Sequence, residues 1–235
     1  MPELPITANL AAWYKYNSGI ISASSLVSQW NDLSGNGRHL LQATATNQPT
    51  LMSDGSILLD GLDNFMQAAF TLNQPCTFYL IVEPITFTAN AFLFDAVTSA
   101  TMLCRQDDSG VSATLDIAAG VEFNQAITSF TLGACGVVSV VFNGASSLGQ
   151  LNNNAPTSSN AGTNNSDGFT LGSIGAGSSN FSRIKVKEGL AYSVAHTATQ
   201  REQMWQYLRL LLPPTDSPSY GKNRGTRFRR YSRRA

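Results

Sequence analysis

Two runs constrain this chain more than any other feature: Cys76 to Pro84, "CTFYLIVEP", and Gly136 to Gly144, "GVVSVVFNG". Both are apolar at odd and even positions alike. Successive side chains of a strand point to opposite faces, so an extended run that is apolar on both must be covered on both. Each run therefore reads as a central strand with apolar material above and below. Further strand-like segments are "AAWYKY" (11–16), "VSQW" (27–30), "SILLD" (56–60), "AFLFDAV" (91–97), "SATLDIA" (112–118), "GFTLGSIG" (168–175) and "SRIKVKEGLAYS" (182–193). Turn formers such as "SGNG", "SDG", "LDG", "DDSG" and "NNNAP" separate them. Many short strands with Gly, Asn and Asp punctuation predict an all-β, two-sheet antiparallel sandwich of jelly-roll type.

Within "RIKVKEGLAY", Ile184, Val186, Glu188, Leu190 and Tyr192 fall on one face at period two. Glu188 interrupts that apolar row, at a bend helped by Gly189. One amphipathic helix is expected over 199–212. It opens on the capping-box pattern Thr199-Gln-Arg-Glu202, carries a Met204, Trp205, Leu208, Leu211 and Leu212 stripe, and is stopped by Pro213-Pro214. Such a stripe is core packing rather than a cofactor site. A Pro-, Ser- and Gly-rich linker follows. The expected organisation is a β domain over 1–213 and a linker with a basic tail over 214–235. No internal repeat is present.

The formal net charge of zero is an average over two unlike parts. Residues 1–216 hold all fifteen acids and eight of the bases, a charge of −7, while residues 217–235 hold seven bases and no acid, a charge of +7. This split predicts a globular body with an appended interaction tail. Cys76, Cys104 and Cys135 are widely spaced and lie in or beside apolar runs, so free thiols are expected. With His39 and His196 far apart, neither a His/Cys metal cluster nor any cofactor is expected. No apolar stretch approaches the ~20 residues that cross a bilayer. The start "MPELPITANLAAWYKYN" lacks the pattern of a secretory leader, which points to synthesis and assembly in a cytoplasm.

A resemblance enters with "LAAWYKYNSGI…VSQWNDLSGNGRHLLQATATNQPTL", "ILLDGLDNFM" and the closing "FTLGSIG…FSRIKVKEGLAYSVAHTATQREQMWQYL". These stretches, spanning about 8–212, resemble concanavalin A-like, laminin-G-like jelly-roll domains found in bacteriophage and bacterial proteins. The resemblance implies the sandwich fold. It does not select among lectins, hydrolases, adhesion modules and virion proteins, which all use it. One departure is the hairpin after "VVFNG": here "QLNNNAPT" follows, with Asn153-Asn154 expected to supply the positive-φ positions.

The loop "NDLSGNGRH" (31–39) offers Asp32, Ser34 and Asn36 oxygens, yet one carboxylate beside Arg38 suits an Asx-rich turn better than Ca²⁺. Glycan hydrolysis needs two facing carboxylates. The Glu-x-Asp-x-x-Glu pattern of enzymes on this fold is missing, and only Asp95 and Asp116, on separate strands, are left to meet. No enzyme is expected. Glycan binding is compatible with the polar loops, with Asn152, Asn153, Asn154, Asn164, Asn165 and Asp167 supplying hydrogen bonds and Trp30 (or Phe169) flanking them. A plain solvated loop is the competing reading.

The tail has three readings: a solvated charge run, a nucleic-acid binder in which Tyr220, Phe228 and Tyr231 stack on bases, or a protein anchor. In the anchor, Lys222, Arg224, Arg227, Arg229, Arg230, Arg233 and Arg234 pair with an acidic groove while Phe228 and Tyr231 fill apolar pockets. We carry the anchor forward, ahead of contact with the chain's own acidic body and of nucleic acid. The expected function is thus a non-enzymatic bacteriophage structural protein of the virion, first of all a capsid decoration (cement) protein. Its partners are other virion proteins such as the major capsid or a tail component, glycans, and further copies of itself. A tail- or fibre-associated component, or a carbohydrate-binding module for host adhesion, is the alternative.

Overall fold

The structure, a computed structural model, describes residues 3–107, 114–128 and 130–213. It is all-β and antiparallel apart from one isolated parallel bridge, Phe92 to Phe181, with one short α-helix. The strands are β1 Leu10–Tyr14, β2 Ile20–Ala23, β3 Leu26–Trp30, β4 Leu40–Leu41, β5 Thr50–Leu51, β6 Ile57–Asp60, β7 Met66–Leu72, β8 Cys76–Pro84 and β9 Phe92–Asp95. They continue with β10 Leu103–Gln106, β11 Leu115–Ala118, β12 Glu122–Ile127, β13 Gly136–Phe142, β14 Ser147–Leu151, β15 Thr157–Ser159, β16 Ser166–Leu171 and β17 Arg183–Tyr192.

The pairings form one connected network with two runs. In the first, β15, β14, β13, β8 and β17 are successive neighbours. On its other edge β17 pairs with both β1 and β6, and β6 leads through β5 to β3 and β2. The second run is β4, β7, β16, β9, β10, β11 and β12. Pairing of β3 with β4 joins them.

The two apolar runs of the sequence are β8 and β13, side by side, and both of their faces are covered. Phe78, Leu80 and Val82 of β8, with Val138, Val140 and Phe142 of β13, enter the main core. There they meet Met66, Phe94, Cys104, Ile117 and Leu171 of the second run. Tyr79, Ile81 and Val137 point the other way, into a second apolar cluster with Leu4, Leu190, Tyr192 and the helix residues Met204, Tyr207 and Leu208.

The expected single apolar face of β17 is divided. A register shift between Val186 and Glu188 inserts Lys187 as an extra residue, and a one-residue bulge exchanges the faces. Ile184 and Val186 lie in the main core, while Leu190 and Tyr192 lie under the helix. Glu188 is fully buried there and accepts hydrogen bonds from Trp13 Nε1 (2.8 Å), Tyr16 N (3.0 Å) and Tyr207 Oη (3.1 Å). A buried carboxylate is tolerated only when donors replace its water. Burial still raises its pKa, against the pull of those donors and of Lys15.

The helix α1 spans Ala198–Leu208 and continues as a 3₁₀ turn, Arg209–Leu211. Its capping box is Thr197 with Gln200, two residues earlier than the Thr199–Glu202 pattern, because Thr197 is the residue left in extended conformation. Tyr207, outside the expected stripe, is buried, whereas Trp205, Leu211 and Leu212 are partly so. The hairpin also departs from expectation. β13 and β14 are joined at Asn143–Ser146 with Gly144 at φ 56°, and in the later turn Asn152, not Asn153 or Asn154, has positive φ. The cysteines are free, with Cys76 and Cys104 buried and Cys135 half-buried.

His196 locks the start of α1 to β8. Its Nδ1 shares a hydrogen bond with Tyr79 Oη (2.8 Å), its N donates to Thr77 Oγ1 (2.9 Å), and its carbonyl accepts from Arg201 Nη1 (2.9 Å). Burial, with nearby Arg201 adding to it, lowers the pKa of the ring to about 4. A depressed histidine pKa stabilises the fold above its unfolded value, and that stability is lost as pH falls. Between pH ~6.5 and ~4 the wild type should lose about 2–3 kcal/mol relative to His196→Gln. Urea unfolding at pH 7 and pH 4.5 measures this, and the comparison cancels the buried carboxylates that titrate in the opposite sense.

Candidate functional site

A polar cleft of about 410 Å³ is the largest of the described pockets. One wall is the start of β1, Asn9 to Ala11, with Ser193 beside it. The second wall is the 31–39 loop through Asn36 and Arg38, and the third is the end of β7 with its turn, Thr71 to Gln74.

The first two walls are joined by a backbone irregularity. β1 slips register against β17 between Leu10 and Ala12, which takes the Ala11 carbonyl out of regular pairing. Side chains of the 31–39 loop use it instead: Asn36 Nδ2 (3.0 Å), Arg38 Nη1 (3.0 Å) and Ser34 Oγ (3.3 Å) all donate to Ala11 O. Asp32 organises that loop from below. Its Oδ1 accepts from Trp13 N (2.8 Å) and Ser34 N (2.9 Å), and its Oδ2 from Ser34 Oγ (2.8 Å) and Arg38 N (3.0 Å). Burial works to raise its pKa, but the donors from Ser34, Trp13 and Arg38 outweigh it and hold the carboxyl below the usual range. The loop is an Asx-rich turn whose one carboxylate is fully engaged by its own chain. Among the described residues no group of three or more His, Cys, Asp or Glu is placed to hold a metal.

The third wall hangs from the Asn-rich loop. Gln74 N donates to Asn165 Oδ1 (2.8 Å), Gln74 Nε2 to Asn164 O (2.7 Å) and Gly162 O (3.1 Å), and Gln74 Oε1 accepts from Gly144 N (2.8 Å). Gly162 lets the Asn-rich loop lie against the backbone at Ala119. At φ 91°, a Cβ there would come within 2.2 Å of Ala119 O.

Among the described residues Arg38 supplies the only formal charge on the lining. Its guanidinium carbon lies 4.6 Å from the Phe70 ring centroid, and Nη1 holds Ala11 O. Nε and Nη2 have no protein partner among the described residues, nor do Asn36 Oδ1 and the side chain of Asn73. The cleft therefore presents an oriented cation, hydrogen-bonding amides and no carboxylate. Among the described residues its lining carries no acid–base pair.

The sequence-predicted binding residues are dispersed. Trp30 is a correction: only 1% exposed, its ring packs in the core and Nε1 donates to Lys15 O (3.1 Å) and Ser18 O (3.2 Å), so it offers no platform. Phe169 is likewise buried, stacked on Tyr14 and Phe78. Asn152, Asn153 and Asn154 form the β14–β15 turn away from the cleft, with Asn152 Oδ1 taken by Val137 N. Asp167 holds Val97 N, Thr98 N and Thr98 Oγ1. Asn164 and Asn165 support the cleft from behind. Asn9, Arg38, Asn73, Gln74 and Ser193 were not picked out as ligand-binding residues, and no local sequence pattern marks them. The tail residues Lys222, Arg224, Arg227, Phe228, Arg229, Arg230, Tyr231, Arg233 and Arg234 lie outside the described residues.

Asp95 and Asp116 do not act as a pair. Asp95 accepts from Ala96 N, Ala100 N and Gly175 N, and Asp116 accepts from Gln125 N beside Arg105. Burial raises the pKa of each. No described helix is long and apolar enough to cross a membrane.

No protein-family model matches the chain, and no curated protein does. Solved structures are similar in fold. A sialidase of Trypanosoma rangeli superposes at TM-score 0.63 with 13% identity, over 89% of this chain and 36% of the sialidase. Domain 4 of the extracellular GH43 arabinanase of Geobacillus stearothermophilus, solved with arabinotriose, gives TM-score 0.61 and 14% identity over 84% of this chain and 98% of that domain. The binding domain of botulinum neurotoxin serotype D gives TM-score 0.61 and 7% identity over 86% and 52%. The chain thus spans about a third of the sialidase's length. At these identities the likeness is one of all-β fold.

Removing the Asp32 carboxylate releases four donors at once. Asp32→Ala should cost about 2–4 kcal/mol in urea unfolding, while Asn153→Ala and Asn154→Ala, exposed at their turn, should stay within about 0.5 kcal/mol.

Proposed function

We propose that this chain is a non-enzymatic structural protein whose body is a concanavalin A-like, two-layer sandwich that binds glycan in the cleft between β1, the 31–39 loop and the β7 turn. The observation that carries this reading is the cleft itself: polar, open, rich in side-chain amides and lacking any carboxylate on its walls. Sugar hydroxyls are recognised by such convergent polar groups on a preformed surface. The fold likeness to a domain solved with arabinotriose supports it. Absence of a carboxylate pair at the cleft favours binding without turnover.

The charge split favours a second element of function. A body of −7 carrying a tail of +7 suits attachment to an acidic groove of a neighbouring chain, where the arginine forks pair with carboxylates and Phe228 and Tyr231 fill pockets. A bacteriophage particle is the setting we propose. There the chain is a capsid decoration protein or a tail- or fibre-associated component that displays the glycan-binding body.

A chain ending at Pro214 should keep its stability to within about 0.5 kcal/mol and still bind on a glycan array, but fail to co-sediment with assembled particles. Full incorporation of the shortened chain would remove the anchor; an array without any hit would remove the glycan site.

A further inference from the structure

We infer that the ligand of this cleft is a carboxylate-bearing saccharide, of the uronic- or sialic-acid class, with Arg38 as the group that selects it. The inference rests on the glycan-binding reading and goes beyond it by naming the sugar class. Three observations on Arg38 converge.

First, among the described residues it is the single charged residue on the lining, so the nearest formal charge whose field a ligand in the cleft meets is positive, although residues 1–216 as a whole are at −7. A low-charge polar wall around one cation focuses that field on a bound anion. Second, the guanidinium is held before any ligand arrives. Phe70 covers one face at 4.6 Å, Nη1 is fixed on Ala11 O at 3.0 Å, and the backbone is tied through Arg38 N to Asp32 Oδ2 at 3.0 Å and through Arg38 O to Tyr14 Oη at 2.7 Å. Little conformational freedom is left to lose on binding. Third, Nε and Nη2 have no protein partner among the described residues. A planar donor edge matches the two oxygens of a carboxylate.

Among the described residues the carboxylate hydrogen-bonded to Arg38 is that of Asp32, which takes the Arg38 amide rather than its guanidinium and is engaged besides with Trp13 N, Ser34 N and Ser34 Oγ. The head group of Arg38 is therefore left for an external anion. Asn36 Oδ1 and the Asn73 side-chain amide, also without protein partners among the described residues, are available to the hydroxyls of the same ring.

The test is a binding assay on the full chain with matched probes: trigalacturonate against galactotriose, and sialyllactose against lactose, with sulfated lactose as a separate arm. The expected result is at least tenfold tighter binding of a carboxylated probe than of its neutral partner. Arg38→Gln should abolish that preference, and Arg38→Lys should restore it only in part, because the charge returns without the planar edge. Thermal melts check that both variants remain folded. Equal binding of acidic and neutral probes, or binding untouched by Arg38→Gln, would overturn the carboxylate assignment and leave the glycan reading standing. Binding of sulfated lactose alone would overturn it in favour of a sulfated sugar. Failure of every probe would overturn both.

Discussion

Everything in this molecule hangs on three neighbouring strands, β13, β8 and the second half of β17, that are buried on both sides. A strand covered on one face needs one partner layer, but these need two. The second run of strands supplies one cover, through Met66, Phe94, Ile117 and Leu171. The helix α1, with Leu4, supplies the other through Met204, Tyr207 and Leu208. The helix is thus a lid on the central strands and not an appendage. Beneath it Glu188 is satisfied by Trp13, Tyr16 and Tyr207, while His196 is held by Tyr79 and Thr77 with its buried Nε2 left without a partner, and together they hold the lid in one register.

The cleft follows from how this frame ends. Where β1 slips against β17, a carbonyl leaves the ladder and the 31–39 loop takes it. Where β7 turns toward β8, Gln74 is gripped by the Asn-rich loop. The 31–39 loop and the β7 turn are therefore held by their own chain and leave a preformed opening between them. In the glycan-binding reading Asp32, Asn164 and Asn165 only position, whereas Arg38 and Asn36 hold the loop through Ala11 O and keep their remaining groups, with Asn73, for the ligand.

What the sequence revealed and what it hid divide along the same physical line. The two-faced runs were legible because burial on both sides leaves an unmistakable pattern, and β8 and β13 stand at the expected places. The short strands β2, β4, β5, β10, β14 and β15 were not, since few residues carry little periodic signal, and the longer β7 and β12 were hidden by mixed faces. The bulge at Lys187 was hidden because a one-residue insertion reverses the faces without altering composition. In the site, Trp30 read as a surface aromatic and is a core residue, because an aromatic beside a polar loop gives no sign of which way its strand turns. Arg38 read as an argument against a metal. Only the fold brings it beside Phe70 and Ala11, from distant parts of the chain.

The account depends most directly on both faces of β8 being covered, and two adjacent truncations measure that. Leu80 faces the main core and Ile81 faces the helix, at 2% and 0% exposure. Urea unfolding of Leu80→Ala and Ile81→Ala should give losses of the same order, about 2–4 kcal/mol each. A full loss at Leu80 with less than about 0.5 kcal/mol at Ile81 would mean that the helix side is not a packed layer, and the frame described here would be contradicted.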